Sequence, residues 1–401
     1  MAGPAVWAAY EGWRDAPTVL TGAGCVAQLG QQLAGLGCTR ALLVVNRTLR
    51  AAPDVVPALH AAAGGRVAAV YCDLQPHLTL PGILAVLGAA RSARCDGLVS
   101  LGSGAAIDAA RATALALDEA VDDEPSLAAY LAALPASSAE QSSTVAPAPH
   151  AAIPTTLVGA AHSAGVGTVM GDGKRIFSHP ALLPPLAFLD PELTRHTPRE
   201  LWAATGIKAL DHAVGRLCTP PRHPLTEAVA RQAVAMLARD LEPSSATPPD
   251  PRARAAVQEA SWLAMFGRHV APSRGMSLSH ALGRQIGTAL DVSHALAACI
   301  ALPAALAFNR EAIPDEIAAL APLLGVGPIQ GNVADVGVAA IAAIEALIAR
   351  LGLPRRLREL SDQREKLPLI ARWTLADASL RYNPRPIADE APLLALLEAA
   401  W

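Results

Sequence analysis

The segment "TGIKALDHAVGRL" (residues 205–217) sets a lysine four positions before a histidine in a run that reads as a helix. That spacing puts Lys208 and His212 on one helix face. Lysine is scarce in this chain: only Lys174, Lys208 and Lys366 occur, and arginine supplies the other fixed positive charge. A lysine so placed can stabilise an oxyanion and supply a proton, or it can pair with Asp211 three residues on, as an exposed or half-buried ion pair. His280 and His294 lie in helical or helix-flanking segments further along. Together with His212 they make three imidazoles, enough for a catalytic zinc or iron site with an open position. Taken singly, each also reads as a partly buried histidine with an ordinary partner.

A second constellation lies in the first half. "LVSLGSGAAIDAARATAL" (98–115) is an apolar strand, a Gly-Ser-Gly turn and a helix start. Gly102, Ser103 and Gly104 would let the backbone approach a diphosphate, with the unpaired amides of the helix N-terminus turned toward it. A tight strand-to-helix turn that needs glycine for sterics alone gives the same pattern. In "VVNRTLR", Asn46 and Arg47 stand where a carboxylate would take a ribose hydroxyl and an arginine would tolerate a ribose phosphate. They lean toward NADPH or toward no preference, and a strand-ending polar pair fits equally. Thr155 and Thr156 in "AAIPTTLVGAAHSAGVG" (151–167) can donate to a ribose or an amide, although hydroxyl residues are also common turn formers.

These residues need a scaffold, and the apolar pattern supplies one. Residues 40–46, 66–74 and 95–102 read as buried strands, and the segments around 24–36, 50–63, 80–93 and 105–117 as helices. Strands alternating with helices imply a parallel sheet with crossover connections. Residues 118–150, acidic and then rich in Ser, Ala and Pro, read as an exposed excursion containing one short helix. Strand-like "AAIPTT" and "LAFLD" (186–190) follow, and beyond them the pattern is helical. The expected division is an α/β dinucleotide-binding domain over 1–190 and an all-helical domain over 191–401.

Bulk properties exclude several classes. A chain of 401 residues that is 52% hydrophobic and 17% charged has material for about two cores. The net charge of -3, with no basic stripe, argues against a nucleic-acid partner. Six dispersed cysteines without a CxxC pair indicate neither a disulfide framework nor a thiolate zinc site. Glu11 and the lack of a basic leader before an apolar core do not make a signal peptide, so a cytoplasmic location is expected. The most apolar stretch, 294–309, is shorter than the roughly 20 residues that span a bilayer, so no membrane segment is expected.

At this point the motifs resemble the iron-containing alcohol dehydrogenase superfamily, and within it the maleylacetate reductase branch. "GSGAAIDAAR" is similar to the family's "GGGSxxDxxK" turn, keeping Gly102, Gly104 and Asp108, with Ser103, Ala105 and Arg111 at altered positions. "IPTTLVGAAHS" is similar to "PTTYAGSEMT", keeping Pro154, Thr155, Thr156 and Gly159. His280, Gly287, His294, Pro303 and Asn309 fall on the pattern "HxxxHxxG…PHGxxxAxxLPxVxxFN", and "RYNPRPI" resembles the "NPRP" signature. The likeness runs over nearly the whole chain. It implies an N-terminal α/β domain holding NAD or NADP, an all-helical C-terminal domain, a substrate cleft between them, a homodimer, and a small-molecule carbonyl or keto-acid substrate. It also implies Gly102, Ser103, Gly104, Asp108, Thr155, Thr156 and Gly159 as cofactor residues, to which the strand-end position adds Asn46.

In metal-dependent members the ligands are an Asp and three His, at positions that here are Lys208, His212, His280 and His294. The aspartate has become Lys208, and the family's relay histidine has become Arg284, four residues after His280 and on its helix face. An ammonium about 5 Å from a divalent cation repels it by about 7 kcal/mol at an effective dielectric near 20. The expectation is therefore a metal-independent NAD(P)H-linked reductase whose active site is Lys208, His212, His280, Arg284 and His294. Arg284 would grip a carboxylate through its planar fork. Two alternatives stay open: an iron- or zinc-dependent alcohol or aldehyde dehydrogenase using His212, His280 and His294, and a non-catalytic nucleotide-binding protein, since Lys208, Arg284 and Ala161 (often Glu in the family) depart together.

Overall fold

The computed structural model describes residues 17–75, 78–133, 147–170, 173–220, 222–266 and 278–401. Backbone contacts divide them into two compact units, one ending at Thr197 and the other spanning Pro198–Trp401.

The first unit is α/β. Its strands are β1 (Thr18–Thr21), β2 (Ala41–Val45), β3 (Val67–Tyr71), β4 (Gly97–Gly102), β5 (His150–Pro154), β6 (Gly165–Met170), β7 (Gly173–Ser178) and β8 (Leu186–Leu189). Between them run α1 (Leu29–Gly35), α2 (Arg47–Ala51), α3 (Val55–Ala62), α4 (Leu80–Ser92), α5 (Gly104–Ala116) and α6 (Glu124–Ala133). Six strands form one sheet in the order β1-β8-β5-β4-β2-β3, every neighbouring pair parallel. Side chains alternate across it: Leu42, Val44 and Leu98 join the core with α4 and α5, whereas Leu43, Val45, Val99 and Leu101 join the core with α1 and α3. Burial on both faces explains why these strands read as continuous apolar runs rather than alternating ones.

Two features depart from the sequence reading. The acidic stretch after α5 is not wholly an exposed excursion: Leu127 and Leu131 of α6 and Val121 are buried in the α4–α5 core. Arg91 donates to the carbonyls of Leu117 and Val121 and anchors this stretch. The Ser/Ala/Pro-rich part, residues 134–146, lies outside the described residues. The second departure is the antiparallel β6–β7 hairpin. Its first strand runs through Gly165 and Gly167, residues of low strand propensity, and the sequence reading placed no strand between "AAIPTT" and "LAFLD".

The second unit is helical: α7 (Arg199–Cys218), α8 (Pro224–Ser244), α9 (Pro251–Met265), α10 (Leu278–Leu290), α11 (His294–Asn309), α12 (Pro314–Ala318), α13 (Val333–Arg350), α14 (Leu367–Leu375) and α15 (Ala391–Ala400). α7 is buried almost all round. At Gly206 a Cβ would come within 2.2 Å of Leu241 Cδ1, so the missing side chain is what lets α8 seat against it. Leu278, Leu282, Ile286 and Leu290 form the apolar stripe of α10 and pack with Ile300 of α11 and Ile370 of α14. None of the described helices is long and apolar enough to cross a membrane.

Candidate active site

The sheet order places a topological switch point between β2 and β4. From β2 the chain crosses outward to β3, and from β4 it crosses the other way to β5. In open α/β sheets the crevice beyond the strand ends at such a point is where nucleotides bind. Asn46 follows β2, and Gly102 ends β4 with Ser103 and Gly104 leading into α5. The structure ties the two strand ends together. Ser103 N donates to Asn46 Oδ1 at 3.0 Å, and Asn46 Nδ2 donates to Ser103 Oγ at 3.4 Å. Gly102 takes φ +144, and a Cβ there would stand 1.8 Å from Asn46 Oδ1, so glycine is required both by the backbone angle and by the space. Asn46 thus acts on the turn itself, which the reading of it as a ribose contact did not foresee. Its neighbour Arg47 is ion-paired to Asp73 at 3.1 Å, with both side chains largely exposed.

The remaining residues of the glycine-turn group take structural partners. Thr155 N continues the ladder to Gly102 O at 2.9 Å, and Thr197 Oγ1 donates to Thr155 O at 2.8 Å. Thr155 and Thr156 are buried. Gly159, at φ +74, opens the turn Ala160–His162. Asp108 accepts from Arg111, buried one helical turn on, and from Gly167 N at 3.4 Å. Arg111 in turn donates to the carbonyls of Ala160, Ser163 and Gly165. A guanidinium fork can reach all of these acceptors where an ammonium could not, which gives a physical account of arginine at this position.

In the helical unit, α7, α10 and α11 bring Lys208, Asp211, His212, Ser279, His280 and His294 together. Lys208 Nζ donates to Asp211 Oδ2 at 2.6 Å and lies 3.1 Å from His280 Nδ1. Asp211 Oδ1 accepts from Ser279 Oγ. The His280 ring is centred 6.0 Å from that of His212 and 5.2 Å from that of His294. The Lys208–Asp211 pair is 4% exposed at each side chain, so the ion pair weighed from spacing is present but buried rather than at the surface. Asp211's depth and Ser279's part in the cluster are new from the structure.

Burial, reinforced by the Lys208 charge, pushes the His280 imidazole well below its ordinary range. The ring is neutral at physiological pH, and with Lys208 donating to Nδ1 the ring proton is assigned to Nε2. Arg284, one turn beyond His280 on α10, gives Nη1 to Asp377 Oδ2 at 3.1 Å instead of joining the lysine cluster. Among the described residues, no three His, Cys, Asp or Glu side chains are arranged to hold a metal ion.

A parallel sheet with a glycine turn at its switch point, followed by a helical unit with a buried lysine–imidazole cluster, defines a two-part dehydrogenase architecture. The chain belongs to the iron-containing alcohol dehydrogenase family and is an oxidoreductase of that type: the family's models match residues 16–191 and, for its C-terminal part, 202–401. It is 30% identical over 390 residues to the probable alcohol dehydrogenase EutG of Salmonella typhimurium, covering 96% of this chain and 93% of that one. To the maleylacetate reductase of Rhizobium sp. strain MTP-10005 it is 28% identical over 383 residues, covering 96% and 95%. The crystal structure of a 1,3-propanediol oxidoreductase superposes with a TM-score of 0.87 at 26% identity, covering 96% of this chain and 98% of that one.

Proposed function

We propose that the protein reduces the carbonyl group of a small keto acid, in the manner of a maleylacetate reductase, with NADH or NADPH as hydride donor and Lys208 in place of a divalent metal. The observation that carries this reading is the position of Lys208 Nζ, 3.1 Å from His280 Nδ1 among the imidazoles. Three histidines, one of them bonded to an ammonium, are a poor donor set for a divalent cation. The positive group repels the ion, and His280 Nδ1 is already engaged by it.

As hydride reaches the carbonyl carbon, its oxygen gains negative charge. The Lys208 ammonium stabilises that oxyanion and passes it a proton to complete the alcohol, while the neutral His280, accepting from Lys208 through Nδ1, helps to hold the ammonium in place. Asp211 holds Lys208 in place at 2.6 Å. Arg284 supplies the guanidinium that receives the substrate carboxylate. The nucleotide is held by the Gly102–Gly104 turn, with its diphosphate at the N-terminus of α5. The likeness to a named maleylacetate reductase over 96% of the chain supports the choice of substrate class.

Lys208→Ala tests the reading directly. It should lower kcat for keto-acid reduction by about 100-fold or more while NAD(P)H binding, followed by nicotinamide fluorescence, is retained. Turnover equal to that of the unaltered protein would sink the proposal.

A further inference from the structure

Asp377 stands 93 residues from Arg284 in sequence, yet its carboxylate is the group that meets the guanidinium. Its side chain is 4% exposed, against 22% for Arg284. Both carboxylate oxygens are committed. Oδ2 accepts from Arg284 Nη1 and from Gln285 Nε2, each at 3.1 Å, and Oδ1 accepts from Ser379 N at 3.0 Å and Ser379 Oγ at 2.6 Å. A buried carboxylate with four donors is a fixed anchor. The Arg284 guanidinium leans on that anchor with one nitrogen and keeps its other donors available on the partly exposed side.

We infer that Asp377 is a positioning residue: it sets the plane of the Arg284 fork for a substrate carboxylate and thereby selects keto acids over uncharged carbonyl compounds. This rests on the reading of Arg284 as the carboxylate receptor. Two effects of Asp377 oppose each other. Its charge offsets that of Arg284 and weakens attraction for an anion, whereas its bonds hold a flexible side chain in one geometry, which raises the yield of each bond to the substrate. A bidentate grip depends on angle, and the anchor is rigid, so the geometric effect dominates. The sign of the Asp377→Asn effect therefore decides the matter. An amide cannot accept on both sides, so this variant loses either the Arg284 and Gln285 bonds or those from Ser379.

The experiment is steady-state kinetics with maleylacetate and with propanal for the unaltered protein, Asp377→Asn, Arg284→Ala and the double variant. Asp377→Asn should raise the ratio of the maleylacetate KM to the propanal KM on the order of 10-fold, with kcat for maleylacetate changed less than about twofold. In the Arg284→Ala background the same substitution should not raise that ratio. A ratio that stays constant or falls in Asp377→Asn while Arg284→Ala raises it overturns the inference but leaves the receptor role of Arg284 standing. No rise in Arg284→Ala overturns both. Equal losses on the two substrates mean a merely structural role and also overturn it. Should Asp377→Asn fail to fold, Ser379→Ala, which removes one donor from the anchor, decides: a selective rise of about twofold to threefold supports the inference, and none overturns it.

Discussion

The turn after β4 and the cluster on α7, α10 and α11 present polarity in opposite ways. At the turn, the backbone of Gly102, Ser103 and Gly104 does the presenting, and the one side chain that shapes it, Asn46, serves as a brace. In the cluster, side chains from three helices do the presenting, and the charge at its centre is satisfied by a buried carboxylate at 2.6 Å. A backbone-built site tolerates change in everything except the glycine whose Cβ would clash. A side-chain-built site can exchange one charge for another if a counter-charge is placed nearby. The combination of Lys208 with Asp211 fits such an exchange: the carboxylate at 2.6 Å lets the helical unit bury a cation on α7.

The largest effect should come from breaking that exchange. Asp211→Asn leaves Lys208 buried beside a neutral group and should cost about 3–5 kcal/mol of stability, read as a lowered midpoint in urea. Replacing both partners by apolar residues, Lys208→Met with Asp211→Leu, should recover most of that stability without recovering turnover. Recovery of both would remove the lysine from the chemistry. Next comes the turn: Gly102→Ala forces an L residue to φ +144 and a Cβ into Asn46. It should cost about 2–3 kcal/mol and weaken NAD(P)H binding in calorimetric titration, with no change expected in the helical unit. Unaltered nucleotide affinity would reduce the turn to a steric device.

The smallest effect is a dependence of stability on pH. Burial pushes His150, on β5 against Ser100 Oγ at 2.8 Å, from 6.5 to about 3. The unfolded chain therefore binds a proton between about pH 6.5 and pH 3 that the folded chain refuses, so stability present above 6.5 is lost as the pH falls through that window. From pH 7.5 to pH 5 the loss due to His150 should be about 2 kcal/mol, and His150→Gln should remove it from the urea midpoints. His280, depressed by burial and by Lys208, acts in the same direction. A slope that persists in His150→Gln then reflects the other depressed imidazoles, His280 in the helical cluster and the buried His179 in the α/β unit.

What could be read in advance follows from the same contrast. Strands β2 and β4, the glycine turn and helices α4 and α5 announce themselves by composition, because sheet burial and backbone approach restrict residue type locally. The β6–β7 hairpin did not, since Gly165 and Gly167 mask a strand, and neither did β1, four residues that are only half buried or exposed. The pairing of Lys208 with Asp211 was visible as a three-residue spacing. Its burial was not, because a helix carrying Lys, Asp, His and Arg reads as half-solvated, whereas α7 is enclosed almost all round. Ser279 and Asp377 had no local signal at all. They reach Asp211 and Arg284 across 68 and 93 residues through tertiary packing alone.

The central claim is that Lys208 stands in for a metal. The measurement that bears on it most directly is NADH and NADPH oxidation with maleylacetate after exhaustive chelation, with metal content determined on the same sample. The account predicts turnover undiminished in protein carrying no stoichiometric zinc or iron. Loss of turnover on chelation, restored by zinc or ferrous iron, would contradict it and return the chemistry to the three histidines.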